Sequence, residues 1–405
     1  MIAMTTDLRK QLLVMAIGAG ASISLLYFCQ PLLSEMARSF AIPDKEMHWV
    51  PAMAQLGAAL GTMFILPLGD RMERRGLAVR MCWVLASAAV CMAFAPGFSF
   101  LLVSSLLVGC ACCIPHLLVP IATLIAPPDL NASAIATVMS GLLVGVLLGR
   151  TVAGILGGTF GWRVVYLVGA AFMLAIGVVL RRTLPECRSS LNVSYLGLLR
   201  SAMMLYRYRV MREAAFVGAM LFGAFNAFWT TLVFLLASSP YHYGARTAGA
   251  LGFLAAVSAM AAPVMGRIVD RSSARFGVGI STVALLVSFL ILAAMGLHLI
   301  GLILGIIVLD VSAQCGHVAN LARVYGTFKE ARSRAGMAYM VCFFLGASLG
   351  SSLGGWGWSR MGWMGVCMAG LAMTVAALAV HFLPGAAENQ RIRLHADAPA
   401  LRPPA

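Results

Sequence analysis

Hydrophobic positions along this chain neither alternate nor recur at every third or fourth residue. They run on for twenty residues or more, break at a short charged or Gly/Pro-containing loop, and resume. Such runs predict helices that are apolar on every side. A helix needs ~20 residues to cross the hydrocarbon of a bilayer, and with no water there its backbone polar groups must pair within the helix itself. Twelve stretches qualify: 12–34, 47–68, 77–95, 98–126, 132–158, 162–181, 214–238, 246–265, 276–297, 299–322, 335–356 and 362–383. The first follows Arg9 and Lys10, runs beyond 20 residues and has no small-residue cleavage site, so it predicts a retained helix and not a cleaved signal peptide. The expected fold class is an all-α membrane protein with twelve transmembrane helices.

Composition agrees. Of 405 residues 61% are hydrophobic and 11% charged, too little charge to clothe a soluble domain. The net charge of +15 raises the question of nucleic acid, and its distribution answers it. With the N-terminus inside, the inner segments hold 23 of the 29 Lys and Arg: two before the first stretch, four in 69–80, seven in 181–212, three in 267–275, four in 323–334 and three in the tail. Basic residues collect on the cytoplasmic side of membrane proteins, so both termini are expected in the cytoplasm and no nucleic-acid partner is expected. The inner loop 126–131 carries no basic residue and departs from the pattern. Of ten cysteines only Cys187 falls in a predicted loop. Cysteines within apolar helices behave as small hydrophobes, so no disulfide framework or redox compartment follows.

The chain repeats itself. At an offset of 201, Gly145, Gly149, Gly154, Gly161, Trp162 and Gly169 fall on Gly346, Gly350, Gly355, Gly362, Trp363 and Gly370; at an offset of 200, Asp70-Arg71 falls on Asp270-Arg271. This parallel repeat predicts two six-helix bundles, 1–182 and 214–384, joined by a cytoplasmic linker over 183–213 and followed by a disordered tail over 385–405. Within the linker, residues 196–211 alternate apolar and basic positions, the pattern of an amphipathic helix lying flat on the membrane surface.

The turn after the second stretch reads Gly69-Asp70-Arg71-Met72-Glu73-Arg74-Arg75, and its repeat reads Gly266-Arg267-Ile268-Val269-Asp270-Arg271. A carboxylate at a helix end can pair with a facing Arg or cap a neighbouring helix, closing two bundles on one side of the membrane. Asp70, Arg71, Arg74, Arg75, Asp270 and Arg271 are therefore candidates for a cytoplasmic gate. Arg74 and Arg75 can also be read as positive-inside anchors; the acid Asp70 has no part in that rule. Helix 5 carries Gly141, Gly145 and Gly149 at four-residue spacing, a small face that admits a close neighbour. It also holds Arg150, an intramembrane cation that costs ~2.5–3.5 kcal/mol at a helix centre, so it faces either protein or, by snorkelling, the interface.

These turns resemble the signature turn of the major facilitator superfamily, Gly-x-x-x-Asp-Arg-x-Gly followed by two basic residues. Asp70, Arg71, Arg74 and Arg75 match it, Leu66 and Glu73 stand where it has glycine, and the second copy keeps Gly266, Asp270, Arg271 and Arg275. The run Gly145 to Gly154 resembles the helix 5 motif of that superfamily's drug:proton antiporters, with Arg150 in place of its Pro and Ala153 in place of a Gly. Tyr27-Phe28-Cys29-Gln30-Pro31-Leu32-Leu33 and the set Asp310, Gln314, His317, Asn320, Arg323 and Ala331-Arg332-Ser333-Arg334 look like a bacterial branch of drug and metabolite efflux transporters. The resemblance implies the two-bundle fold, a bacterial inner-membrane location, and a central cavity lined by helices 1, 4, 7 and 10. On these grounds Tyr27, Gln30 and Arg150 join the substrate-cavity candidates.

Read from the residues, helix 10 is the most informative. Asp310 is the acid placed deep within a stretch, and Gln314 and His317 follow at i+4 and i+7 on the same face. Intramembrane ionisable groups mark ion or proton pathways, although a purely structural polar cluster has the same pattern. Asp310 and His317 are the proton-coupling candidates, with Gln314 beside them as a cavity candidate. Helix 7 sets Phe222, Phe225, Asn226 and Trp229 on one stripe, which serves either packing or a lined cavity. In helix 4, Cys112 and His116 have an i, i+4 spacing able to hold a soft metal, or they are simply packed side chains. The offset of 201 carries His116 onto His317, two imidazoles at repeat-related positions that read as a proton relay or as substrate contacts.

The reading that unites these features is a secondary active transporter, a proton-coupled exporter of a small molecule such as a drug, sugar or siderophore, working by rocker-switch alternating access. It is expected as a monomer whose partners are the substrate, protons and the bilayer, with no metal, no cofactor and no enzymatic activity. No nucleotide-binding signature appears. An importer by symport or facilitated diffusion, of a solute or a metal, and a non-transporting membrane sensor are the alternatives.

Overall fold

The computed structural model describes residues 6–187, 194–254, 264–267 and 272–382, and the regular structure among them is helical. Fourteen helices matter here: α1 Thr6–Tyr27, α2 Leu33–Phe40, α3 Trp49–Phe64, α4 Arg74–Ala93, α5 Phe98–Ala111, α6 Ile114–Ile125, α7 Asn131–Phe160, α8 Trp162–Thr183, α9 Tyr195–Met204, α10 Arg209–Ala237, α11 Ala245–Gly252, α12 Ala274–Met295, α13 Leu299–Thr327 and α14 Arg332–Phe382. Asp270, Arg271, the tail over 385–405 and residues 255–263 of the eighth predicted stretch lie outside the described residues.

Ten segments among the described residues are long and apolar enough to cross a membrane. Nine correspond to single predicted stretches. The tenth, Lys329–Phe382, contains both the eleventh and the twelfth, which the helix α14 joins across a kink at Gly362. Gly362 has φ 59°, and Gly161, between α7 and α8, has φ 86°. Both values fall where a residue lacking Cβ is favoured, and each glycine precedes a tryptophan whose indole N–H is bonded: Trp162 to Ser39 Oγ at 2.9 Å, Trp363 to Leu292 O at 2.9 Å. The repeated Gly-Trp pairs are thus repeated corners.

Two other stretches are broken where the backbone cannot continue. The fourth splits into α5 and α6 at Cys112–Cys113, because Pro115 has no N–H to offer the carbonyl of Ala111. The first ends at Tyr27 and resumes as α2 after a 3₁₀ turn over Gln30–Leu32 that contains Pro31. In the linker the amphipathic pattern over 196–211 is divided. The helix α9 ends at Met204, a 3₁₀ turn covers Leu205–Arg207, and α10 starts at Arg209, five residues ahead of the predicted stretch.

The chain separates into two compact units, one of Met1–Leu191 with Trp229–Phe253, the other of Asn192–Phe228 with Leu254–Ala405. In the first, α1 lies against α7 so closely that a Cβ on Gly145 would fall on Gly20 O and one on Gly141 on Ala16 O. In the second, α10 lies against α14 in the same manner, with Gly346 on Ala219 O and Gly350 on Gly223 O. The four-residue glycine spacing is what allows these backbones to touch.

Candidate functional site

Three polar clusters stand out among the described residues. The first lies in the first unit. Arg150, 1% exposed on α7, donates from Nε to Gln30 Oε1 at 2.7 Å. Its guanidinium carbon lies 4.8 Å from the centre of the Tyr27 ring and 4.2 Å from that of Trp229. Three residues from two other stretches of sequence thus surround one planar cation, and the two π faces and the amide oxygen offset part of its desolvation. Pro31, Leu232, Val233 and Ala248 close the small cleft around it. The arrangement holds a fixed, enclosed positive charge beside aromatic surface. His116, on α6 in the same unit, is half-buried just beyond the helix break. The thiol of Cys112, on the other side of that break, donates to Ser22 O at 3.1 Å. Among the described residues no three His, Cys, Asp or Glu converge in a way that could hold a metal ion.

The second cluster is in the other unit. Asp310, 2% exposed, sits twelve residues into the 29-residue α13. Gln314 and His317 follow, both half-buried. His317 Nδ1 lies 3.3 Å from the hydroxyl of Tyr339, and its ring centre 4.4 Å from that of Phe343. Phe343 stacks on Phe222 at 3.8 Å, and Phe222 on Phe225 at 5.6 Å. Asn226 is buried and donates to Phe222 O of its own helix at 2.9 Å. The aromatic stripe of the seventh stretch therefore divides: Phe222 and Phe225 pack within the second unit, while Trp229 covers Arg150 in the first.

The third cluster gathers Arg275, Asn320 and Arg323 around an acid that was not singled out from the sequence. Glu213, buried at the start of α10, takes both Nη atoms of Arg323, at 3.1 and 3.0 Å, on its two carboxylate oxygens. Arg275 Nη2 lies 3.8 Å from the same carboxylate and donates to His381 O at 2.9 Å, while Asn320 Nδ2 donates to Ala214 O at 2.6 Å. Ends of α10, α12, α13 and α14 are tied at one point. The available signal was an acid in the otherwise basic run that precedes the seventh stretch.

At the gate turn, Arg74 pairs with Asp70 at 2.8 Å and donates to Gly69 O at 2.9 Å, so the pair closes the turn on itself. Arg75 pairs with Glu186 at 2.9 Å and donates to Leu184 O at 3.0 Å. Arg71 is exposed. Glu73, where the signature has glycine, caps α4 by accepting from the N–H groups of Arg75 and Gly76, and also accepts from Cys187 N at 3.1 Å. Burial, with that carboxylate next to it, raises the pKa of the Cys187 thiol.

Membrane-length helices in two units, glycine-packed and carrying buried charge, define a multi-pass membrane protein. The Major Facilitator Superfamily matches residues 12–350, and the chain belongs to that family. It is 33% identical to the "Uncharacterized transporter YgaY" of Escherichia coli O157:H7 over 91% of this chain and 94% of that one. It is 30% identical to the "Probable transporter SCO4007" of Streptomyces coelicolor over 87% and 83%. The fold is also that of a bacterial homologue of the human lysosomal transporter Spinster, with a TM-score of 0.71 at 16% identity and full coverage of both chains.

Proposed function

We propose that this transporter is a proton-coupled exporter of a small molecule in the bacterial inner membrane, with both termini in the cytoplasm. It works by alternating access between the halves 1–182 and 214–384. The observation that carries the coupling is Asp310, a carboxyl group buried in mid-helix, roughly 16 Å along α13 from its start at 1.5 Å per residue. An acid at such a position is costly to keep charged, and intramembrane ionisable groups mark ion and proton pathways. His317, two turns further on the same helix and against Tyr339, is its tuning partner. The direction rests on the likeness of Gly145 to Gly154 to the antiporter motif. Arg150 with Tyr27, Gln30 and Trp229 is the candidate substrate contact, together with His116, and the Asp70 turn is the candidate gate.

The test is transport by the Asp310→Asn variant in proteoliposomes. Accumulation driven by a pH gradient should disappear, while substrate counterflow, which needs no proton turnover, should persist. Full gradient-driven transport by this variant would place the coupling elsewhere.

A further inference from the structure

A groove of about 340 Å³ runs along the outside of the second unit, between the end of the linker, α10 and α14. Its walls are Phe216, Cys342, Leu345 and Leu349, and its end is formed by Tyr206 and Arg212. From Cys342 to Leu349 it follows α14 for roughly 10 Å. Phe216, Leu345 and Leu349 are all exposed large apolar side chains. On a membrane helix such faces look into hydrocarbon, so the groove opens to lipid tails.

The end of the groove has a different chemistry. Tyr206 donates from its hydroxyl to Ala338 O at 2.7 Å and lies 3.0 Å from Cys342 Sγ, which pins the linker to α14. From this anchor the chain turns into α10, and Arg207, Arg209 and Arg212 follow within six residues. Arg212 is exposed, and its Nη1 donates to Tyr206 O at 3.2 Å and Arg207 O at 3.1 Å, which fixes the guanidinium at the mouth. The nearest acid in sequence, Glu213, is turned inward onto Arg323 and does not neutralise that rim. Next to it α9 presents Leu196, Met203 and Met204 outward, apolar surface suited to lie at the membrane interface.

We propose that this groove is a binding site for an anionic phospholipid of the leaflet that faces the linker, one acyl chain lying along α14 and the phosphate held at Arg212 with Arg207 and Arg209. The fit is one of two chemistries in one ligand. The walls match hydrocarbon, and a cluster of guanidinium groups at the end of the groove selects negative headgroups over zwitterionic ones. A water-soluble anion would satisfy only the mouth, and a neutral lipid only the walls.

Cys342 supplies a reporter inside the groove. The full-length protein is reconstituted into nanodiscs of phosphatidylcholine alone or with one-third phosphatidylglycerol, and alkylation of Cys342 by a hydrophobic maleimide is followed by peptide mass spectrometry. Phosphatidylglycerol should slow the reaction several-fold in the natural protein, and Arg212→Gln should remove that difference while leaving the rate in phosphatidylcholine unchanged. Native mass spectrometry should show phosphatidylglycerol retained in preference to phosphatidylcholine by the natural protein, and less of it by Arg212→Gln. Leu349→Trp, which narrows the groove from the lipid side, should reduce retention of both lipids. Equal protection by the two lipids, or undiminished phosphatidylglycerol preference in Arg212→Gln, would overturn the site. Protection by inorganic phosphate alone would overturn it too, because the walls would then have no role.

Discussion

Arg150 Nε donates a 2.7 Å hydrogen bond to Gln30 Oε1, joining α7 to the turn that follows α1 across 120 residues of sequence. The bond holds the guanidinium plane against Tyr27 and Trp229. Gln30→Leu keeps the volume of the side chain and removes the acceptor from a buried cation. A hydrogen bond to a charged group contributes ~1.5–3 kcal/mol, so thermal unfolding in detergent should fall accordingly. Arg150→Lys should fall at least as far, because an ammonium offers no planar face to two rings. Unchanged melting of both variants would show that the cluster is not held as described.

Glu213 and Arg323 form a two-pronged pair with side chains 6% and 10% exposed. Removing one partner of a buried pair leaves the other charge uncompensated, at a cost of ~3–5 kcal/mol. Glu213→Gln should lower stability by about that amount, and Arg323→Gln by less, because Arg275 still lies 3.8 Å from the Glu213 carboxylate. The double variant should be less destabilised than the sum of the two, and additive losses in a double-mutant cycle would rule out direct coupling.

The Cys187 thiol is raised in pKa first by burial and then by the Glu73 carboxylate, with Arg74 and Arg75 acting in the opposite sense. The thiolate is the reactive form, so alkylation of Cys187 should reach half its maximal rate at a higher pH than an ordinary thiol does. Glu73→Gln removes the negative charge, lowers the thiol pKa and should move that midpoint to lower pH. A change in the plateau alone, with the midpoint fixed, would instead report loosening of the loop.

Gly145 and Gly346 are related by the repeat, and each brings its helix against a backbone carbonyl, Gly20 O and Ala219 O. Added methyl groups in a packed contact cost ~1–3 kcal/mol. Gly145→Ala and Gly346→Ala should both destabilise within that range, as followed by thermal unfolding, whereas Gly97→Ala, with open space around its Cβ position, should not.

How much of this was legible follows from which interactions are local. Length and continuity of apolar runs reflect the thickness of the bilayer, a property of single helices, so the spans of the described helices, the all-helical class and the repeated Gly-Trp pairs at Gly161 and Gly362 were open to reading before any packing was known. The glycine spacing of the fifth predicted stretch, which forms α7, was legible for the same reason. Its partner was not: that α1 fills that face, and α10 the equivalent face of α14, depends on contacts between segments remote in sequence. The Cys112–Cys113 break was visible in principle, since Pro115 has a local effect, yet an unbroken apolar run concealed it.

At the polar clusters the division is sharper. The sequence marked Arg150, Gln30, Tyr27 and Trp229 one by one, as an intramembrane cation, two members of a resembling stretch and one ring of an aromatic stripe. Only the tertiary structure gathered them around a single guanidinium and separated Trp229 from Phe222, its neighbour on the same stripe. Glu213 was hidden for the converse reason. In sequence it borders a basic loop and reads as solvated, whereas the fold buries it against Arg323, 110 residues away. A hydrophobic run is set by the solvent around one helix and can be read along the chain. A buried charge is set by the partner that compensates it, and the chain has to fold before that partner arrives.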